Sequence, residues 1–389
     1  MADLPASSSS VSSSSSSSSA SSSTSASASA STPSYPWLTP RPRTPWLLRP
    51  HIPLIKTRPG HAAYALVVAG FAAVFLAFRF LRSPRRFLSR VTEEEQGKAA
   101  LRLNDPSLGQ HLHLVANGIV IHAVSLGRDQ DPLILFLHGF PEFWYSWRHQ
   151  MQGLSRLGFR CVAIDMRGYG DSERPGNVAD YDLGVLAADV EAVIKTLGHA
   201  RAAAVVAHDW GAMVAYTFAA RYPQSLERLV IANGPHPVLF RRCILTFPQV
   251  FRSFYVFFFQ VPWLPEMLLS QAAFAPLRLV FKNHRGEPFL PREELDLYRC
   301  SLAKPGALTS AINYYRRMGR APLRWIGKIA APTLVVWGED DTFLSPWANA
   351  GLEEVVEVLT FKTIPKCGHW IQAERGDEFN AAISEFLKA

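Results

Sequence analysis

The sequence predicts an α/β fold, in which a mostly parallel β-sheet is flanked by helices and a helical cap is inserted between two parts of the core. The first observation is alternation. Patterns typical of buried strands alternate with helical patterns over residues 105–233 and again over residues 326–389, as expected for parallel strands joined by helices. The second is an interruption, because residues 234–325 lose this alternation and are rich in Phe, Leu, Pro and Tyr. We expect them to fold as the cap.

The chain begins with a segment that cannot form a core. Residues 1–60 are dominated by Ser, Ala and Pro, a composition that predicts a disordered leader. Because the leader also contains Arg and few acidic residues, an organelle transit peptide is an alternative interpretation. The basic excess of the whole chain, 40 Lys+Arg against 32 Asp+Glu, lies mainly in the first hundred residues. We therefore expect no nucleic-acid partner for the folded part.

One apolar segment follows the leader. Residues 61–81 contain no charged side chain between Ala62 and Phe78, and Arg79 can extend toward lipid headgroups. The segment has no polar stripe and lies outside any packed domain of this prediction, so we expect a transmembrane helix and not a buried one. Basic residues are more numerous after it than before it, which favours a cytosolic body. The expectation is a single-pass protein of the endoplasmic reticulum, with a linker over residues 82–104.

The folded body opens with a β-hairpin and continues as alternating strands and helices. Strands are expected at His111–Val115, Ile119–Leu126, Pro132–His138, Phe159–Asp165, Ala204–Ala207, Leu229–Ala232, Pro332–Trp337 and Val358–Ile364. Helices are expected across Glu142–Leu157, Leu183–Leu197, Met213–Tyr222 and Glu374–Leu387. Polar and glycine residues follow several of the strands at their carboxyl ends, where sheets of this kind place their ligands. We expect the body after residue 100 to carry the whole site.

One strand-to-helix joint has the features of a catalytic turn. In Ala207-His208-Asp209-Trp210-Gly211, Asp209 lies between two small residues, which a tight turn needs because larger side chains would collide with their neighbours. An Asp at such a joint is also an ordinary helix N-cap, so its partners must decide its role. His369 follows the last strand, and either Asp340 or Asp341 can be the acid that follows the strand before it. A nucleophile, an acid and a histidine in this order are typical of the α/β-hydrolase fold.

The motifs along this body are specific when they are taken together. They are Asp105-Pro-Ser-Leu-Gly109, His138-Gly-Phe-Pro-Glu-Phe-Trp-Tyr-Ser-Trp147, His208-Asp-Trp-Gly211, Phe259-Gln-Val-Pro-Trp-Leu-Pro265 and Gly368-His-Trp370. From about Asp105 to the C-terminus, the chain resembles the epoxide hydrolases of the α/β-hydrolase fold, and among them the membrane-anchored animal branch known as epoxide hydrolase 3 and 4. The long Ser-rich leader departs from that branch.

The resemblance implies a hydrolysis in two steps. Asp209 would attack the epoxide and form an alkyl ester, whose carbonyl group water can then open. His369 would activate that water and Asp341 would orient His369, since the family pattern Gly-Glu-x-Asp places its acid at Asp341 and not at Asp340. The implied activity is the conversion of an epoxide to a vicinal diol.

Four further residues complete the implied site. Tyr255 and Tyr315 match the family motifs Tyr-x-x-x-Phe-Gln and Asn-x-Tyr-Arg and would donate to the epoxide oxygen. Tyrosine suits this task because its ordinary pKa of ~10 keeps it protonated near neutral pH. The backbone N–H groups of Phe140 and Trp210 would form the oxyanion hole. The Phe140–Pro141 bond is expected to be cis, so that the turn aims the Phe140 N–H into the site.

Two rival functions fit part of the sequence. A haloalkane dehalogenase shares the Asp nucleophile and the His, and Trp210 fits both readings, whereas the tyrosine pair favours an epoxide. A catalytically idle, membrane-tethered binding protein is the second rival. A Ser esterase is excluded because no Ser occupies the turn at Asp209.

The remaining composition limits substrates and partners. The many Phe and Leu residues of the cap, together with the apolar segment, favour lipophilic epoxides and a role in lipid metabolism and detoxification. We expect no cofactor and no metal, because the sequence contains neither a Gly-rich phosphate loop nor a cluster of metal ligands. The four cysteines are scattered without a CxxC spacing and are expected to be reduced thiols.

Overall fold

A computed structural model describes residues 58–321 and 327–389. The predicted leader, as far as residue 57, and residues 322–326 at the end of the cap lie outside the described residues. Within the described ranges the chain forms an eight-stranded sheet, with helices packed around it and a helical insertion after the sixth strand. The predicted fold class is confirmed.

The sheet begins with antiparallel strands and continues with parallel ones. Its strands are β1 (Gln110–Ala116), β2 (Ile119–Leu126), β3 (Leu133–Leu137), β4 (Arg160–Ile164), β5 (Ala202–His208), β6 (Leu226–Ala232), β7 (Thr333–Gly338) and β8 (Leu359–Ile364). Their spatial order is β1-β2-β4-β3-β5-β6-β7-β8, with β2 antiparallel to both of its neighbours and the strands from β4 to β8 parallel. All five residues of β3 and of β4 are buried, so both faces of the sheet are covered there.

Helices of the core lie between these strands and after the last one. They are α4 (Arg148–Ser155), α5 (Leu183–Thr196), α6 (Trp210–Arg221), α14 (Leu352–Val355), α15 (Ile371–Glu374) and α16 (Gly376–Lys388). Helix α4 packs against α16 and α5 against α6. The helix predicted across Glu142–Leu157 is shorter than expected, because a 3₁₀ turn at Trp144–Trp147 precedes α4.

The cap is helical, as its composition predicts. Its helices are α7 (Pro237–Cys243), α8 (Gln249–Arg252), α9 (Phe254–Phe258), α10 (Leu264–Phe274), α11 (Leu277–Val280), α12 (Arg292–Ala303) and α13 (Ala307–Arg320). Side chains of α13 tie the cap together. Arg316 on α13 forms an ion pair with Glu266 on α10 at 2.7 Å, and the side chain of Gln260 donates to the Tyr315 carbonyl at 2.9 Å. These contacts fix the helices that carry the two predicted tyrosines.

The segment before the core is more ordered than the sequence suggests. It folds as α1 (Arg58–Arg82), α2 (Pro84–Phe87) and α3 (Glu93–Leu103), so the linker predicted over residues 82–104 contains two helices. Helix α3 begins with a capping box, in which the Thr92 backbone N–H donates to Glu95 at 2.8 Å and the Glu95 N–H donates to the Thr92 hydroxyl at 3.1 Å.

Helix α1 is long and apolar enough, from Pro59 to Arg82, to cross a membrane. It also contacts the cap, which the sequence did not indicate. The Tyr64 ring lies 5.2 Å from the Phe257 ring, and Arg79 Nε donates to the side chain of Gln271 at 3.4 Å.

Candidate active site

The joint between β5 and α6 holds Asp209 in a strained turn. Its φ is 48° and its ψ is −114°, a conformation that non-glycine residues rarely adopt and that clusters at functional positions. Gly211 makes room for the turn, since a Cβ at this position would lie 2.2 Å from the Leu137 carbonyl oxygen. The small residue predicted beside Asp209 therefore has a steric reason, which is the close approach of β3 to the start of α6.

His369 lies between two carboxylates. Its Nδ1 is 2.7 Å from Asp341 Oδ2, and its Nε2 is 3.8 Å from Asp209 Oδ2. The first contact is a hydrogen bond, whereas the second is too long for one. The imidazole is therefore oriented by Asp341 and faces Asp209 without bonding to it. This arrangement suits a base that acts on a small molecule next to Asp209.

Asp341 is fixed from several sides. Its Oδ1 accepts hydrogen bonds from the backbone N–H groups of Phe343 and Leu344 at 2.7 and 2.9 Å. Its Oδ2, besides facing the imidazole, accepts one from the Asn233 amide at 2.7 Å. Of the two acids that the spacing left open, Asp341 is buried at the imidazole and the Asp340 side chain is exposed.

The two groups of this pair shift each other's pKa in opposite directions. Burial alone raises the pKa of the Asp341 carboxyl, but the charge of His369 and the hydrogen bonds that the carboxylate accepts outweigh it, so the pKa is lowered. Burial alone lowers the pKa of His369. Asp341, and after it Asp209, raise the pKa of His369 more, to about 9. The resting site therefore favours a protonated imidazole beside two carboxylates.

The two oxygens of Asp209 have different surroundings. Oδ1 accepts a hydrogen bond from the Phe140 backbone N–H at 2.9 Å, while Oδ2 faces His369. The Phe140–Pro141 peptide bond is cis, as predicted. Trp210 is the first residue of α6, and the first N–H groups of a helix have no partner within it. Of the two backbone donors predicted for the oxyanion hole, the Phe140 N–H binds an Asp209 oxygen, and the Trp210 N–H belongs to the residue that follows Asp209 in the chain.

Tyr255 on α9 and Tyr315 on α13 face the same space from the cap. Their ring centroids are 5.8 Å apart, and both residues line a cavity that contains Asp209. Burial first, and then the negative charge of Asp209, raise the pKa of both phenols well above the ordinary value. In Tyr315 a hydrogen bond with the Trp210 side chain works against this increase. Both phenols therefore stay protonated and can donate.

The cavity has a volume of about 1040 Å³ and connects the residues that the sequence singles out. Asp209, His369, Tyr255 and Tyr315 line it, and most of its remaining wall is apolar. Three residues before the core, Phe75, Arg79 and Arg86, also line the cavity. The expectation that the body after residue 100 carries the whole site was therefore incomplete, because α1 and α2 contribute to its wall.

A second His–carboxylate pair lies behind the first. His208 Nδ1 is 2.7 Å from Glu142 Oε2, and His208 Nε2 is 3.0 Å from the His369 carbonyl oxygen. Gln372 donates to Glu142 Oε1 at 2.7 Å, and the Gly139 N–H donates to Glu142 Oε2 at 3.1 Å. This buried network connects the turns after β3, β5 and β8, which are the three that carry Phe140, Asp209 and His369.

One group of potential metal ligands occurs in the described part of the chain. The ligand atoms of His122, Asp165 and Asp171 lie within 4.8 Å of one another. These atoms are already engaged, because His122 Nδ1 is 2.7 Å from Asp165 Oδ2 and His122 Nε2 is 2.8 Å from His111 Nδ1. Asp165 also accepts hydrogen bonds from the backbone N–H groups of Trp144 and Asp171. His122 and Asp165 are thus held in a buried hydrogen-bond network between β2 and the turn after β4.

Comparisons with known proteins agree with this geometry. Residues 132–376 match a family model described as the alpha/beta hydrolase fold. Epoxide hydrolase 4 of Mus musculus is 38% identical over 74% of this chain and 82% of its own length, and epoxide hydrolase 3 of Xenopus tropicalis is 39% identical over 74% and 80%. A crystal structure of the Bacillus megaterium epoxide hydrolase in complex with an inhibitor aligns with a TM-score of 0.64, at 32% identity over 72% of this chain and 100% of the other.

The chain belongs to the epoxide hydrolases of the α/β-hydrolase fold. It is accordingly a hydrolase, and the resemblance stated from its motifs is confirmed.

Sequence reasoning missed several residues of this epoxide hydrolase site. Asn233 ends the alternation after β6 and could have been noticed as a polar residue at a strand end. Glu142 and His208 stand inside motifs that carried the resemblance, but nothing in their spacing shows that they pair. Phe75 and Arg79 gave no signal, since their contact with the cavity depends on how α1 packs.

Proposed function

We propose that this protein hydrolyses lipophilic epoxides to vicinal diols through an alkyl ester on Asp209, and that α1 anchors it in a membrane. The observation that carries the proposal is that Asp209 lies between a histidine on one side and two protonated tyrosines on the other, in one apolar cavity. A carboxylate nucleophile suits a saturated carbon, because the ester that it forms still has a carbonyl group for water to attack.

The first step is opening of the ring. Asp209 Oδ2 is the oxygen left free by the Phe140 N–H, and it attacks an epoxide carbon as the C–O bond of the ring breaks. Tyr255 or Tyr315 gives its proton to the departing oxygen, which would otherwise become a poorly stabilised alkoxide. This step gives an ester of Asp209, a hydroxyl group on the neighbouring carbon and one tyrosinate. The tyrosinate then takes the proton of the His369 imidazolium, which leaves the tyrosine protonated and His369 neutral.

The second step is hydrolysis of the ester. His369 Nε2 takes a proton from water, and the water oxygen adds to Asp209 Cγ. The negative charge then develops on Oδ1, which the Phe140 N–H binds and the Trp210 N–H can reach from the start of α6. The ester bond breaks, and the diol oxygen takes the proton back from His369. Asp209 leaves the step as a carboxylic acid and gives its proton to His369, which restores the protonated imidazole and the Asp209 carboxylate of the resting site.

Hydrolysis of the ester needs a neutral His369, whereas the free protein favours a protonated one. Before the reaction, Asp209 helps to keep the pKa of His369 at about 9. Ester formation removes the negative charge of Asp209, so the pKa of His369 falls and the imidazole becomes a better base for the water. The covalent step therefore prepares the base for the step that follows it.

The substrate class follows from the cavity and from α1. The lining is mostly apolar, with Phe259, Leu268 and Phe343 among its residues, so an apolar epoxide is desolvated at little cost. The stretch Pro59–Arg82 satisfies the length and composition of a membrane span. A single-pass protein with its site close to the bilayer fits substrates that dissolve in lipid.

The experiment is a single turnover of excess protein with an epoxide in ¹⁸O-water. The label should appear in the peptide that contains Asp209 and be absent from the first diol released, because the diol takes its oxygen from the carboxylate. The peptide with Asp189, a buried carboxylate paired with Arg167 at 2.7 Å, is the control and should gain no label. A labelled first diol would mean that water attacks the epoxide directly, which would overturn the ester mechanism.

A further inference from the structure

The cavity has a wall that belongs to the apolar helix α1. It extends from Asp209 and His369 outward to Phe75 and Arg79, both in the last two turns of that helix. Contacts with the cap hold α1 in this place, since the side chain of Arg79 donates to Gln271 at 3.4 Å. The helix that satisfies the requirements of a membrane span is therefore also part of the substrate cavity.

The position of Phe75 along α1 sets its depth in a bilayer. It lies seven positions before Arg82, which corresponds to roughly 10 Å along a helix that rises 1.5 Å per residue. Basic residues then follow closely at Arg85, Arg86 and Arg90, and such clusters lie at the level of lipid headgroups. When α1 spans the membrane, Phe75 lies below the headgroups, among the acyl chains.

The rim of the cavity is apolar and exposed. Phe75 on α1, Phe254 on α9 and Leu279 on α11 line the cavity, although 48%, 46% and 66% of their respective surfaces are accessible. Single exposed apolar side chains are ordinary on protein surfaces. Here three of them line one cavity, next to a helix whose outer face is also apolar, and such a surface is typical of contact with a membrane.

We propose that the cavity opens into the lipid bilayer between α1 and the cap, so that substrate enters sideways from the membrane and not from water. This inference rests on the proposed epoxide hydrolysis and on the proposed membrane span. Helix α1 then has two tasks, since it anchors the protein and forms one side of the entrance. Because each added methylene group favours the bilayer over water by about fourfold, long-chain epoxides reach this entrance almost entirely through lipid.

Charge around the opening agrees with this orientation. Arg79, Arg86 and Arg278 line the cavity, and Arg86 and Arg278 are exposed. Guanidinium groups bind phosphate well, and their long side chains reach from an apolar surface to the headgroup layer. The basic groups therefore lie where lipid phosphates would meet the rim, while the apolar residues face the acyl chains.

The test uses full-length protein in phosphatidylcholine vesicles and a long-chain terminal epoxide that moves slowly between vesicles. In one arrangement protein and epoxide share a vesicle, and in the other they are in separate vesicles. Entry from the bilayer predicts that diol forms at least about tenfold faster when they share one, because transfer through water is then unnecessary. Equal rates, within twofold, would mean that substrate enters from water, and the inference would be wrong.

Styrene oxide, which moves rapidly through water, separates this inference from the proposed function. It should be hydrolysed at the same rate in both arrangements. If styrene oxide and the long-chain epoxide are both left intact, epoxide hydrolysis itself fails. If styrene oxide is hydrolysed and the long-chain epoxide shows no advantage of sharing a vesicle, the entrance alone is wrong.

Two variants of α1 test whether Phe75 forms part of the entrance. Phe75→Ala removes a side chain at the opening, whereas Phe71→Ala removes the same side chain one turn earlier, where 77% of its surface is accessible and it is not part of the cavity lining. We expect Phe75→Ala to raise KM for the long-chain epoxide by about tenfold. Phe71→Ala should resemble the natural protein in every assay. Identical KM values in the two variants would remove α1 from the entrance.

Discussion

Asp209, His369 and Asp341 are carried by turns at the end of the sheet, whereas Tyr255 and Tyr315 are carried by helices of the cap. The first group is held by a network of short contacts, such as the 2.7 Å hydrogen bond between His369 and Asp341. The tyrosines are held mainly by aromatic packing, with the rings of Tyr315 and Trp210 at 4.9 Å.

The two sides of the cavity therefore need different kinds of precision. Proton transfer and nucleophilic attack depend on distances of a few tenths of an ångström, so the groups that perform them stand on a rigid scaffold. Recognition of apolar epoxides depends on shape and burial, which an inserted helical segment can vary without disturbing the sheet. Variants on the two sides should therefore fail in different ways.

The largest effect is expected on the sheet side. His369→Gln removes the base but leaves Asp209 and both tyrosines in place, so the ring should still open while diol formation slows by about 10⁴-fold. The ester on Asp209 should then accumulate to one equivalent per protein. Rapid quenching followed by mass spectrometry of the intact protein measures it.

Two neighbouring acids provide a matched control for this prediction. Asp341→Asn removes the partner of the imidazole and should also accumulate ester, whereas Asp340→Asn alters an exposed side chain and should behave as the natural protein. Fast diol release by the His369 variant would assign the base elsewhere. An effect at Asp340 in place of Asp341 would move the orienting acid by one position.

The cap side should fail at the other half-reaction. Tyr255→Phe and Tyr315→Phe each keep the ring and its packing but remove a proton donor. One remaining tyrosine can still protonate the leaving oxygen, so we expect each single variant to slow ring opening by about tenfold and the double variant by about 10²–10⁴-fold. Stopped-flow tryptophan fluorescence in a single turnover measures this step.

In contrast to the histidine variant, the tyrosine double variant should accumulate no ester, because ring opening becomes slower than hydrolysis. Phe259 packs on Tyr315 with ring centroids 4.9 Å apart, and Phe259→Leu is the control for a change in packing alone. Ester accumulation in the double variant would show that the tyrosines serve hydrolysis and not ring opening.

The contrast between the sheet and the cap also explains which site residues could be predicted from the sequence. The order of Asp209, the acid after β7 and His369 follows from strands that end at one edge, and a strand pattern is a local property. The lengths of most strands and core helices could be predicted for the same reason. The choice of Asp341 and of both tyrosines depended on resemblance to a family, because spacing alone does not show which of several polar residues points inward.

Tertiary packing explains what could not be predicted. Glu142 and Gln372 are 230 positions apart, and their 2.7 Å contact becomes visible only when the turns after β3 and β8 meet. The role of α1 could not be predicted for the same reason. Its apolar composition predicts a membrane span whether or not a cavity lies beside it. Nothing local to Phe75 or Arg79 indicates that they line a site.

The smallest effect, and the one that connects the two sides, concerns the pKa of His369. In the free protein, burial lowers this pKa, but Asp341 and then Asp209 raise it to about 9. The ester neutralises Asp209, so the pKa of His369 must be lower in the intermediate than in the free protein. Hydrolysis needs the neutral imidazole, and its rate should therefore rise with pH around a midpoint below the pKa of the free protein.

Two measurements on the full chain test this. Single-turnover hydrolysis of the preformed ester at a series of pH values gives the midpoint for the intermediate, and an NMR titration of His369 gives the pKa in the free protein. Asp209→Asn, examined before any conversion of the amide, removes the same charge without an ester and should lower the pKa of His369 in the titration. If the ester hydrolyses with a midpoint equal to the free pKa, then Asp209 does not tune the base, and the link between the two steps fails although the separate roles of Asp209 and His369 would stand.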